Sequence, residues 1–295
     1  MMLTRRHLLI SAPLLLAGCA TAAPSGSRAS RRAEEELHAL CAGLGRGNRL
    51  GVAVIDTDTG RRLRYQADQR FAMASTFKLP LAAAILAEVE AGRMSLAQRI
   101  PVVEADLLPN SPVTRAALAE GSVSVERLCA AIVEVSDNSG ANLLLRRIGG
   151  PAGLTAFLRR SGDPVTRLDR YEMELGTNLA GDPRDTTTPD AMASLLNRLL
   201  LGPVLTPASR ARLIGWMEGA TTGLDRLRAG FPVGWRVGDK TGTALRGANN
   251  DIAIAWPPGR PPLIVASYVE APDRDEARHK ATHAAVARIV AATLG

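Results

Sequence analysis

Apolar positions alternate from Leu50 to Ile55 with the two-residue period of a strand. Arg61–Tyr65 returns after the turn Asp56-Thr57-Asp58-Thr59-Gly60, so the pair predicts a hairpin. Ahead of it, Arg31–Leu44 carries a helical period that runs out at Gly43, Gly45 and Gly47. Beyond it, Phe71–Ala74 leads into a helix beginning at Ser75, with Leu81, Ile85 and Val89 on one face. Pro80 removes a helical N–H early in that helix and predicts a distorted first turn.

From about residue 95 to 219 the period is helical. Ser124–Val135, Ala141–Ile148, Ala152–Ser161, Pro189–Leu201 and Pro207–Gly219 each read as a helix. The stretch 167–188 has no period, and a loop that long inside a compact domain implies a functional role. Strand character returns at Trp235–Thr241, Asp251–Trp256 and Leu263–Val269, and a helix from Arg274 to Leu294 closes the chain. Strands at both ends with helices between predict an α/β protein of the α+β type. Its antiparallel sheet is assembled from 31–72 and 220–295, and 73–219 forms an inserted all-helical lobe.

Composition narrows the classes. A 46% hydrophobic content with charge mixed throughout is that of an ordinary globular protein. Aromatics are 3%, too few for the stacking platforms of single-strand binding, and the net charge of +7 is spread without a basic block, so nucleic acid is not an expected partner. Residues 1–23 resemble a secretory leader: a basic start to Arg6, the apolar run Leu8–Ala17, then small residues, with 24–30 as a linker. Thr4-Arg5-Arg6-His7-Leu8-Leu9 resembles a twin-arginine signal, and Leu16-Ala17-Gly18-Cys19 a lipobox that would anchor the chain through lipid on Cys19. A cut near Ala22 would instead release a soluble protein. Both outcomes place the chain outside the cytoplasmic membrane, in the periplasm. Cys41 and Cys129 read as small buried residues, and His279 and His283, four apart on a helix, lack the further ligands of a metal site.

Candidate chemistry begins at Ser75-Thr76-Phe77-Lys78. Serine and lysine three apart share one helix face, and a serine attacks only when a neighbouring base takes its proton. Lysine serves that purpose when burial or another cation holds it partly neutral. Alone, the same pattern equally describes a helix-capping serine and a solvated lysine. Three further stretches change that: Ser136-Asp137-Asn138 between two helices, Lys240-Thr241-Gly242-Thr243 on a late strand, and Arg170-Tyr171-Glu172 in the unpatterned loop closed by Asp185.

Taken in order, these motifs resemble the class A serine β-lactamases, over essentially the whole chain from about residue 31. The resemblance implies that Ser75 attacks the strained amide of a penicillin or cephalosporin. The N–H groups of Ser75 and Thr243 would hold the oxyanion beside Gly242. Ser136, bridged by the charge of Lys240, would relay a proton to the leaving nitrogen. Asn138 would bind both the Lys78 amine and the substrate's acylamino carbonyl. Glu172 would activate the water that frees the acyl-enzyme; whether it or Lys78 is the base for acylation stays open. Arg170 and Asp185 would pair across the loop base, leaving Glu174 a structural role. Thr241, Thr243 and Arg226 would take the substrate carboxylate, because Asn249 stands where many members have arginine. Arg226 matches the alternative arginine of other members, carbapenem-hydrolysing ones included, against the plainer reading of a surface charge. No metal or organic cofactor is implied, the partners are small β-lactams, and a monomer is expected.

Three departures bear on activity. Gly176 replaces the asparagine that helps hold the hydrolytic water, Asn110 replaces an aromatic at the mouth of the site, and Ala74 and Ala244 occupy positions where some carbapenemases carry cysteines. The rival reading is a penicillin-binding DD-peptidase, acylated in the same way but slow to release; Glu172 in its loop argues against it. A non-catalytic envelope lipoprotein and a serine-lysine glutaminase fit the motifs less well.

Overall fold

The computed structural model describes residues 28–177, 179, 181–244, 246–273 and 275–295. The leader, Cys19 and the first part of the linker lie outside them; the last three linker residues belong to the first helix, Arg28–Gly43. Five antiparallel strands form the main sheet, in the spatial order Arg62–Tyr65, Arg49–Asp56, Leu263–Glu270, Ala248–Trp256, Arg236–Thr243. The first and last parts of the chain meet where Val52 pairs with Ser267.

Both faces of this sheet are covered, so its strands are apolar on both sides. Along the second strand Val52 and Val54 face one core while Ala53 and Ile55 face the other. The same division sends Ile252, Ile254 and Tyr268 toward the helices of the inserted segment. Ala253, Val265 and Val269 pack instead with Leu37 of the first helix and Val286 and Val290 of the last, Glu276–Leu294.

The inserted segment is not all helix. Arg99–Pro101 pairs with Ser122–Ser124, and Phe71–Ala72 with Thr186–Thr187. Runs of two or three residues are too short to display a period, which is why the sequence reads through them. The helix Lys78–Glu90 also departs from expectation: Lys78 through Leu86 are all buried, with neighbours on every side rather than on one face. Several elements start earlier than their apolar period, because capping residues set the ends. Asp137 accepts the Gly140 N–H and starts a helix at Asn138, three residues before the expected Ala141, whereas Ser124, expected as the first helical residue, is the cap of Val125–Glu134. Among the described residues no helix is long and apolar enough to cross a membrane.

Candidate active site

Ser75 does not open an α-helix. It sits in a 3-10 turn, Ala74–Phe77, that runs directly into the helix starting at Lys78. In a 3-10 turn residues three apart eclipse one another, so Ser75 and Lys78 still share a side. Pro80 falls in the first α-helical turn, where its missing N–H costs little. Ala74 enters the turn at φ +44°, a left-handed conformation that a Cβ disfavours, and Ser136 (+59°), Asp185 (+57°) and Asn110 (+52°) share it. Strain of this kind concentrates where surrounding contacts over-determine the backbone.

Those contacts come from the sheet. Asn250 Nδ2 donates to Ala72 O at 2.8 Å and Met73 O at 3.0 Å, holding the approach to the turn against the strand Ala248–Trp256. The edge strand Arg236–Thr243 carries all of Lys240, Thr241, Gly242 and Thr243. A Cβ on Gly242 would stand 2.7 Å from Met73 O and 3.1 Å from Thr76 N, so only glycine lets the two backbones approach this closely.

Lys78 is fully buried, and its amine is surrounded by acceptors: Asn138 Oδ1 at 2.5 Å, Ser136 O at 2.9 Å, Glu172 Oε1 at 3.0 Å and Ser136 Oγ at 3.3 Å. Burial pulls its pKa below the ordinary lysine range, and the Glu172 carboxylate pulls it back. Lys240, equally buried, donates to Thr241 O at 2.7 Å and to Ser136 Oγ at 3.1 Å. Burial, and then the charge of Lys78, hold Lys240 well below its usual range. The Ser136 hydroxyl thus lies between two amines that donate to it.

Glu172 Oε1 accepts from Ser75 Oγ at 3.5 Å, the outer limit of a hydrogen bond. The backbone of Glu172 is held by Asn142, whose Nδ2 donates to Glu172 O at 2.8 Å and whose Oδ1 accepts the Glu172 N–H at 3.0 Å. Sequence reading passed over Asn142. Its signal was the spacing of four from Asn138, one helical turn along the same face. Glu174, expected to be structural, is exposed in the turn Glu174–Thr177.

Arg170 and Asp185 meet as expected, Nε to Oδ2 at 2.6 Å. Asp185 is fully buried; its Oδ1 accepts the N–H groups of Asp169 and Arg170 at 2.7 and 3.0 Å, and its carbonyl accepts the Met73 N–H at 2.9 Å. One residue therefore ties the loop base to the nucleophile turn, its carboxylate holding the loop and its backbone carbonyl the approach to the turn. Asp185→Ala leaves a largely buried guanidinium and two N–H groups without their acceptor, and is expected to cost about 3 kcal/mol of stability. Thermal melting checks this, with Asp185→Asn, which keeps an acceptor oxygen, expected to lose less.

Arg226 is not a surface charge. It is 4% exposed, and its guanidinium donates to Asn250 O at 2.7 Å, Gly242 O at 3.3 Å and Thr243 Oγ1 at 2.7 Å. Burial lowers its pKa, with Asp251 the main opposing charge. Asp239 on the lysine strand and Asp251 on the strand paired with it, both buried and both raised in pKa by burial, went unremarked in the sequence. Arg228 pairs with Asp239. Thr241 shares a hydrogen bond of 2.7 Å with Thr222 Oγ1. Asn249 is buried opposite Thr243, and its carbonyl is 3.0 Å from His283 Nε2. A carbonyl only accepts, so His283 carries its proton on Nε2, and burial pushes its pKa down to about 3.

Asn110, exposed at the mouth, donates to Ser136 O at 3.1 Å and buttresses the strained serine. Arg246 is exposed and so outside this constellation. Cys129 is buried while Cys41 is only partly so, and both are free thiols. Among the described residues no His, Cys, Asp and Glu groups are placed to hold a metal ion. Ser75, Asn138, Glu172, Met173, Gly176 and Thr243 line a cleft of about 320 Å³, of a size for one small molecule.

Comparison with known proteins agrees with this geometry. Residues 32–294 match the model of the beta-lactamase enzyme family. The chain is 45% identical to beta-lactamase CTX-M-8 of Citrobacter amalonaticus over 83% of its length and 84% of the relative's. It is 44% identical to the carbapenem-hydrolyzing beta-lactamase KPC of Klebsiella oxytoca, over 84% and 85%. Among solved structures, the class A beta-lactamase of the last common ancestor of Gram-negative bacteria superposes with a TM-score of 0.86 at 53% identity, covering 89% of this chain and 99% of that one. A beta lactamase from Xanthomonas campestris superposes at 0.85 with 46% identity, covering 89% and 99%. The four motifs, the sheet that brings them to one cleft and these similarities together place the chain in the class A β-lactamase family.

Proposed function

We propose that the chain hydrolyses the lactam amide of penicillins and cephalosporins through an ester on Ser75, conferring resistance to them, with carbapenems as a further substrate class. The observation that carries this is the pairing, inside one cleft, of a Glu172–Lys78 ion pair at 3.0 Å with a Ser75 hydroxyl 3.5 Å from the same carboxylate oxygen. Lys240, Arg226 and the Thr243 hydroxyl receive the substrate carboxylate and present the carbonyl to Ser75. The Ser75 proton has two acceptors on its side of the cleft, Glu172 and the depressed Lys78 amine. As the C–N bond breaks, Ser136 donates its proton to nitrogen, its hydroxyl already oriented by two amines. Glu172 then draws a proton from water, which attacks the ester and frees the serine.

The support for turnover over the one-shot acylation of a DD-peptidase is the double anchoring of Glu172 by Asn142. Gly176 bears on the rate. A Cβ there would meet no atom within 4 Å, so this stretch of wall offers no amide to the water near Glu172. Purified protein mixed with a chromogenic cephalosporin is expected to give steady colour over many equivalents. A burst of one equivalent followed by negligible turnover would favour the peptidase reading. We further propose that the protein acts as a monomer in the periplasm, exported by the leader in residues 1–23 and held to a membrane only where Cys19 carries lipid.

A further inference from the structure

Asn138 is the residue that the hydrolytic reading assigns to the substrate's acylamino carbonyl, yet both of its N–H groups are already engaged. The orientation of the amide is fixed by chemistry: the Lys78 amine only donates, so the atom 2.5 Å away is Oδ1 and the NH₂ points the other way. That NH₂ donates to Pro109 O at 2.9 Å and to the Met173 sulfur at 3.2 Å. The carbonyl of Pro109 belongs to the backbone leading into the Asn110 turn. Met173 is different. The residue is 44% exposed, it lines the cleft, and it follows Glu172 on the loop. Thioether sulfur is a weak acceptor on an unbranched chain with three rotatable bonds.

We infer that Met173 is a movable latch over Asn138, whose sulfur holds the donor that an acylamino carbonyl must claim, making it a specificity-determining residue for the β-lactamase reading on which this rests. A substrate bearing that carbonyl displaces the sulfur on binding, and the lost contact enters its KM. A substrate without the carbonyl has no reason to displace it. The latch is also a site of oxidation. Hydrogen peroxide gives one oxygen to sulfur as its O–O bond breaks; the sulfur loses two electrons, and the other oxygen leaves with both protons as water. The sulfoxide oxygen is a stronger acceptor than sulfur, so the oxidised latch holds Asn138 more firmly. Met73, Met192 and Met217 are buried and Met94 is partly so, which leaves Met173 the most accessible methionine among the described residues.

The test compares benzylpenicillin, which has an acylamino carbonyl, with 6-aminopenicillanic acid, which has a free amine there. Met173→Leu keeps the apolar volume and removes the acceptor. The ratio of the benzylpenicillin KM to the 6-aminopenicillanic acid KM is expected to fall about threefold, the scale of a weak hydrogen bond, with Met173→Ala moving it in the same direction. Hydrogen peroxide treatment is expected to add one oxygen at Met173, located by peptide mass, and to raise that ratio in the unmodified sequence but not in Met173→Leu. A ratio untouched by either substitution, or by oxidation of Met173, would overturn the latch and leave the hydrolytic reading standing. Absence of hydrolysis of both compounds would overturn that reading, and the latch with it.

Discussion

Replacing Glu172 by glutamine is expected to trap the protein as an ester on Ser75. Mass spectrometry would show the intact enzyme heavier by one β-lactam, persisting for far longer than a normal turnover. Steady-state kcat would fall by about 10³, within the range that a positioned general base supplies. Acylation is expected to survive for an electrostatic reason. The Glu172 carboxylate is the largest influence raising the Lys78 pKa, against the burial that lowers it. Removing that charge drops the pKa further, so more of the amine is neutral and able to take the Ser75 proton. Deacylation has no such reserve, because the amide of glutamine cannot accept a proton from water. The neutral side chain still reaches the place held by Asn142, since both contacts of Asn142 are to backbone atoms of residue 172. Unchanged steady-state cleavage by this variant would remove Glu172 from the mechanism.

Ser75→Ala is expected to behave oppositely, binding substrate but forming no adduct. The carboxylate site of Lys240, Arg226 and Thr243 lies on the strand side and loses nothing, so the dissociation constant should change little. Turnover should drop by about 10⁴ or more, since a nucleophile and its partners act as a unit. The pair of variants separates two mechanisms. If Glu172-activated water attacked the lactam directly, Ser75→Ala would retain much of its rate and Glu172→Gln would accumulate nothing.

How far the motifs reach is clearest at particular residues. Ser75 and Lys78 were legible because three-residue spacing puts two side chains on one side in both α and 3-10 geometry, so the error in helix type did no harm. Lys240 was legible for its neighbours, but not the burial that depresses it, because burial depends on the helices packed over the edge strand. Arg226 was read as a carboxylate ligand over a surface charge from its placement alone, and its burial against the Gly242 and Asn250 carbonyls came only with the tertiary structure.

By itself the sequence determined the order and type of the main elements, the assembly of the sheet from two distant segments and the identity of the chemical groups, because periodicity and motif spacing are local properties of the chain. Tertiary structure decided the rest: Asn142 behind Glu172, Asp239 against Arg228, Asp251 beside Arg226, Asn110 under Ser136 and the Met173 sulfur on Asn138. Those partners stand close in space because separate elements deliver them to one cleft, and with the exception of Asn142 no spacing along the chain encodes their meeting.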